Sequence, residues 1–140
     1  MLKYKLTHPE IIANLAASGH GSRVLLADSN YPVGTHRSHS AEIVFLNLAP
    51  NILRVTDVLP IILDAVPIER AVIMKPEEQA DPAVNDLFNT FKELLAGIPM
   101  SRIERDSFYN AVRHENTSLV IATGDTTPYG NILLELGVVK

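Results

Sequence analysis

Four short polar clusters in this chain hold side chains able to do chemistry: Gly19-His20-Gly21, Asp28 with the loop after it, Glu104-Arg105-Asp106, and Pro128-Tyr129-Gly130-Asn131. Histidine is the side chain that gives up and takes back a proton near neutrality, and a glycine on each side leaves His20 free to turn its imidazole into a cleft. The same residue can equally be a turn that closes a helix. Asp28 ends a β-prone run, and in open α/β sheets ligands settle outside the carboxyl ends of strands; an aspartate there also caps turns through its own side chain. Arg105 can aim a planar fork at neighbouring hydroxyls or sit in a solvated ion pair with Glu104 or Asp106. Tyr129, Gly130 and Asn131 join a phenol, a pliant backbone point and an amide, which together donate to and accept from a polyhydroxylated ligand, or form an ordinary Pro-led turn.

His36 and His39, with His20 and Asp28, supply the atom types of a divalent-metal site. Their setting speaks against it: the His-x-x-His spacing lies in a Ser-rich loop and no His-Glu-x-x-His pattern occurs. Glycine-rich phosphate cradles are also missing, which argues against dinucleotides and nucleoside triphosphates. Met1, Met74 and Met100 read as a start residue and packing.

The elements that must position these clusters alternate along the chain. Thr7-His8-Pro9-Glu10 reads as a capping box opening a helix through Ile11, Ile12, Leu15 and Ala16, with Gly19 ending it in the left-handed conformation. Arg23 to Asp28 is too apolar for a half-exposed strand and is expected to be covered on both faces. Ser29 to Ser40 has no periodicity and reads as a loop long enough to carry function, after which Ala41 to Leu46 resumes as a strand. Thr56-Asp57 caps a helix through Ala65, Arg70 to Met74 is another buried strand, and Asp81-Pro82 opens a helix through Leu95 that Gly97 and Pro99 stop. A short strand near Ile103, a helix over Ser107 to Arg113, and strands over Leu119 to Thr123 and Asn131 to Leu134 complete an α/β layered domain. A strand of about six residues spans roughly 20 Å, so His20 and Asp28 meet only if the chain before Arg23 folds back.

Bulk properties narrow the classes. A chain of 140 residues, 46% hydrophobic, without a repeat or linker, fits one domain over residues 1–140. No apolar run is long enough to span a membrane, and Met1-Leu2-Lys3-Tyr4-Lys5 lacks the apolar stretch of a secretory signal, so a cytoplasmic protein is expected. Zero cysteines exclude thiol catalysis and disulfides. The net charge of −4 comes from interspersed signs without a basic cluster, which disfavours nucleic acid as a partner.

Gly19-His20-Gly21 after the first helix, Asp28-Ser29-Asn30-Tyr31-Pro32 after the first core strand, Arg105 before Phe108-Tyr109, and Tyr129-Gly130-Asn131-Ile132-Leu133-Leu134 followed by Gly137-Val138 come in a set order. In that order and spacing, over nearly the whole chain, the sequence resembles the D-ribose pyranase and L-fucose mutarotase (RbsD/FucU) family. The resemblance implies a three-layer α/β/α domain with a mixed central sheet of about six strands, needing no metal or cofactor. It also implies a ring-like homo-oligomer, a pentamer or decamer, with sugar sites at subunit contacts. Carried onto matching positions, His20 is the proton donor, and Asp28, Arg105, Tyr129, Gly130 and Asn131 hold a free monosaccharide. Arg105 and Gly130 look like the fucose branch, where ribose-type members tend to have His and Ala; Pro128 looks ribose-like, and the His36 to His39 loop matches neither.

The implied activity is interconversion of cyclic sugar forms by acid/base ring opening, with Asp28 either orienting His20 or binding a hydroxyl. Two other readings stand beside it: a non-catalytic monosaccharide-binding or transport accessory protein, and a metal-dependent hydrolase or isomerase centred on His20, His36 and His39.

Overall fold

The computed structural model describes residues 1–140. Its four helices and six strands run in the order α1 (Pro9–Ala17), β1 (Arg23–Ala27), β2 (Glu42–Phe45), α2 (Val55–Ala65), β3 (Ile68–Met74), α3 (Pro82–Leu95), β4 (Met100–Ile103), α4 (Arg105–Arg113), β5 (Thr117–Ala122) and β6 (Ile132–Leu136). The strands form one sheet in the order β2-β5-β1-β6-β3-β4. β1, β2 and β5 pair in parallel, as do β3 and β4, whereas β6 runs antiparallel between β1 and β3. The sheet is therefore mixed, and α1, α2 and α3 cover one face while α4 and the 29–41 loop cover the other.

Alternation of side chains along each strand builds the two cores. Val24 and Leu26 of β1 join Leu59, Ile62, Phe88 and Phe91 in the larger one, and Leu25 and Ala27 turn to the opposite side against Tyr31, Phe108 and Val112. β1 is thus buried on both faces, as its unbroken apolar run requires. Each valine, leucine, isoleucine or phenylalanine among them, fully withdrawn from water, contributes about 1.5–3 kcal/mol.

Several helix ends differ from the sequence expectation. In α1 the cap is His8 rather than Thr7: its Nδ1 accepts from the Ile11 N–H at 3.4 Å. The chain leaves α1 through Ser18 in an extended conformation, and the left-handed residue is Gly21 (φ 80°), not Gly19. In α2 the first turn is closed by Asp57, whose carboxylate accepts the Arg54 N–H at 2.8 Å, without help from Thr56. α3 begins as read, with Asp81 accepting the Ala83 N–H at 2.9 Å. α4 starts at Arg105, two residues before the predicted boundary, which puts that guanidinium at a helix entrance. β3 begins at Ile68, and Glu69 and Arg70 are exposed because only its second half lies between covered faces.

Candidate functional site

At the carboxyl end of the parallel strands lies a cavity of ≈ 250 Å³ lined by Asp28, Asn30, Tyr31, Met74, Arg105, Tyr109, Pro128, Tyr129 and Asn131. The topology explains why these residues meet. β1 and β3 end there, β6 begins there because it is antiparallel, and α4 starts there because it follows β4. This size suits a small polar molecule rather than a nucleotide.

Asp28 organises the floor. It is 4% exposed, and its carboxylate accepts the Asn30 N–H at 2.9 Å, the Gly130 N–H at 3.0 Å and Asn131 Nδ2 at 3.0 Å. Asn131 returns the contact by accepting the Asp28 N–H through Oδ1 at 2.8 Å. Burial is the largest influence on the acid and lifts its pKa above the ordinary 3.8, with the Asn30, Gly130 and Tyr31 N–H groups pulling the other way and the Asp125 charge adding to the rise. A carboxylate offers about four acceptor positions and three are occupied by hydrogen bonds, which leaves one that a ligand hydroxyl would share with the nearby Tyr31 N–H. Asn131 is committed on both amide atoms, with one N–H to spare.

The Tyr129-Gly130 turn is shaped to fit. Tyr129 sits in the left-handed region at φ 59°, an arrangement that costs a bulky residue of the order of 1 kcal/mol and is over-represented at functional sites. A Cβ on Gly130 would lie 2.8 Å from the Thr127 carbonyl oxygen and 3.3 Å from Asp28 Cβ, so only glycine lets this backbone close onto the carboxylate. Arg105 reaches over the mouth: its Nη2 donates to Tyr129 Oη at 3.1 Å and to Glu77 Oε1 at 3.2 Å, with the guanidinium 5.7 Å from the Tyr129 ring centre. Neither acidic sequence neighbour holds it, since Glu104 pairs with Lys75 at 2.9 Å. The Tyr129 hydroxyl, accepting from Arg105, has its own proton to give.

The structure therefore brings Asp28, Arg105, Tyr129, Gly130 and Asn131 together and leaves His20 elsewhere. The chain before Arg23 does not fold back: Gly21 N–H bonds the Leu136 carbonyl at 2.9 Å, and His20 Nε2 lies 3.0 Å from Glu69 Oε2 at the start of β3. Five residues of β1, roughly 17 Å of strand, separate that end from the cavity. His36 lies beside the cavity rather than in it, its ring edge-on to Tyr109 at 4.4 Å and its Nδ1 2.8 Å from Thr35 Oγ1. No group of three or more His, Asp or Glu side chains gathers in a way that could hold a metal ion, so His20, His36 and His39 do not form a centre.

Sequence reasoning missed several members. Met74, read as packing, forms part of the wall, and so do Tyr31 and Tyr109. Tyr31 donates its hydroxyl to the His36 carbonyl at 2.7 Å, which ties down the loop. Burial pushes its phenol well above the usual range. Asp125, 1% exposed, was also overlooked: it accepts the Val55 N–H at 3.0 Å and the Thr127 N–H at 2.9 Å, holding the approach to Pro128. An acid followed two residues later by a turn was the available signal.

Comparison with known proteins adds to this geometry. A family model described as the RbsD / FucU transport protein family matches residues 1–139. A D-ribose pyranase of Variovorax paradoxus is 33% identical over 140 residues, covering 99% of this chain and 98% of its own. An L-fucose mutarotase of Histophilus somni is 30% identical over 135 residues, covering 93% and 90%. Among solved structures, Bacillus subtilis RbsD complexed with D-ribose superposes with a TM-score of 0.86 over 100% of both chains at 19% identity, a likeness of fold. No helix is long and apolar enough to cross a membrane.

Proposed function

This chain belongs to the RbsD / FucU transport protein family, and from that premise we propose that it is a cytoplasmic isomerase, a mutarotase that interconverts the cyclic forms of a free monosaccharide, L-fucose or a related aldose. The observation that carries this reading is the division of labour between the two ends of the sheet. One end holds a small cavity with one remaining acceptor on Asp28, the Arg105 fork, the Tyr129 hydroxyl and one Asn131 N–H. The other presents an imidazole whose side chain is 58% exposed. Within one chain the cavity can grip hydroxyls but has no unburdened acid or base. Joined head to end in a ring of copies, the His20 of one subunit enters the cavity of the next, and the site is complete at the subunit contact.

The chemistry is balanced within the substrate. The imidazole takes the proton of the anomeric hydroxyl and hands it to the ring oxygen, the C–O bond opens to a carbonyl, rotation exposes its other face, and the reverse transfers close the ring and leave the imidazole as it began. Each positioned proton transfer contributes about 10²- to 10⁴-fold, and spontaneous ring opening is already measurable, so a modest site suffices. Asp28 binds a hydroxyl under this reading, because its carboxylate is already turned toward Asn30, Gly130 and Asn131. Names of relatives divide between ribose and fucose; Arg105 and Gly130 favour the fucose side.

Saturation-transfer NMR on the anomers of ribose, fucose and galactose tests the proposal. Exchange should rise with wild-type protein and fall to the spontaneous rate with His20→Ala. An Arg105→Ala/Tyr129→Phe double variant should also be inactive, and refolding the two inactive chains together should restore part of the activity, because mixed rings contain intact sites. Protein that shifts anomer signals without accelerating exchange would instead be a binding or transport accessory.

A further inference from the structure

The His20 turn faces a carboxylate that the reaction scheme above does not use. Glu69 Oε2 lies 3.0 Å from His20 Nε2, and a carboxylate only accepts, so that nitrogen must carry the proton. The two side chains are held in register by the end of β6: Gly21 N–H bonds the Leu136 carbonyl at 2.9 Å, and Gly137 N–H bonds the Pro67 carbonyl at 2.8 Å, two residues before Glu69. No competing cation draws Glu69 away, since its neighbour Arg70 is engaged by Glu135 at 2.6 Å. His20 Nδ1 has no hydrogen-bond partner in the chain.

We propose that Glu69 is a positioning residue that fixes His20 in its Nε2–H tautomer and presents Nδ1 to the sugar oxygen. This rests on the mutarotase reading of the cavity and His20, and it specifies which ring atom handles the proton. In the neutral ring the nitrogen bonded to Glu69 is the donor, so the lone pair belongs to Nδ1. Once Nδ1 takes up a proton, the carboxylate stabilises the imidazolium and keeps its plane fixed while the proton moves on. Orienting carboxylates of this kind are worth up to about 10⁴-fold where fully enclosed; this one is part-exposed, so a smaller effect is expected.

The test uses the intact oligomer with ¹⁵N-labelled histidine, the His20 signals being assigned by their loss in His20→Ala. Recorded at a pH where the ring is neutral, long-range proton–nitrogen spectra should show the Nε2–H tautomer in wild type and in Glu69→Gln, whose amide oxygen still accepts, and a mixture of tautomers in Glu69→Ala. Above the spontaneous background, kcat for anomer exchange should drop about ten- to hundredfold in Glu69→Ala with KM nearly unchanged, because the cavity residues are untouched, and Glu69→Gln should recover part of it. A tautomer pattern unchanged in Glu69→Ala, or an unchanged kcat, would overturn the assignment. An active His20→Ala variant overturns the underlying mutarotase reading as well, whereas an inactive one beside a fully active Glu69→Ala overturns Glu69 alone.

Discussion

Asp28→Asn separates the two forces that act on the cavity floor. In the wild type, one carboxylate oxygen receives two N–H donors, from Gly130 and Asn131, both at 3.0 Å, and the other receives the Asn30 N–H at 2.9 Å. An amide can place its oxygen on the doubly bonded side, which keeps two contacts, but its NH₂ then faces the Asn30 N–H. That part-buried donor is left without an acceptor, at a cost of about 1–3 kcal/mol. For a chain of this length each kcal/mol lowers the melting midpoint by about 3–5 °C, so a fall of roughly 3–15 °C is expected at fixed protein concentration. The gap should also depend on pH. Because burial raises the folded-state pKa above 3.8, the folded protein holds the proton more tightly than the unfolded chain. The stability this group contributes is complete below 3.8 and is lost as pH rises through the elevated value. The substituted amide does not titrate, so the difference between wild type and variant should be largest at the acidic end of that window and shrink as pH rises. Urea unfolding in steps upward from about pH 3.5 reads this directly. A gap that widens with pH would mean that the three N–H donors outweigh desolvation, and would refute the stated direction.

Arg105→Lys should leave the unfolding free energy within about 0.5 kcal/mol of wild type, since the side chain is half-exposed, but raise KM for sugar, because Tyr129 and Glu77 both bond Nη2 and leave Nε and Nη1 as a planar pair of donors that an ammonium lacks. Gly130→Ala forces a Cβ to 2.8 Å from a carbonyl oxygen, and a loss of about 1–3 kcal/mol in thermal unfolding is expected together with weaker sugar binding by calorimetry. Tyr31→Phe removes the hydroxyl bonded to the His36 carbonyl at 2.7 Å, which should cost about 1 kcal/mol and speed proteolysis of the 29–40 loop; in the wild type, alkaline difference spectra should show one tyrosine resisting ionisation beyond the ordinary phenol range.

The elements were legible where the signal is local. Asp81-Pro82 marks a helix start through contacts two residues apart, and the apolar run at Arg23 to Ala27 announces a strand covered on both sides. Where two neighbours offered the same chemistry the choice fell on the wrong one, as with Thr7 and His8 or Gly19 and Gly21. The grouping of Asp28 with Tyr129 and Asn131 followed from resemblance, because only the insertion of β6 beside β1 brings residues 28 and 131 together. Met74, Tyr31 and Tyr109 depend on strand order across the whole sheet and leave no periodic trace. The position of His20 was open to deduction: a turn that precedes a strand and an acid that follows it must lie at opposite ends.

The place of β6 bears on what holds the sheet together. The sixth strand in chain order is an inner one, wedged between β1 and β3, so without Ile132–Leu136 the other five strands would fall into two half-sheets, each with an unpaired inner edge. Because Asn131 leads that strand in, the cavity floor depends on the two halves being joined. A chain lacking this strand would have no closed cavity floor, and its two open edges would be templates for pairing with other chains.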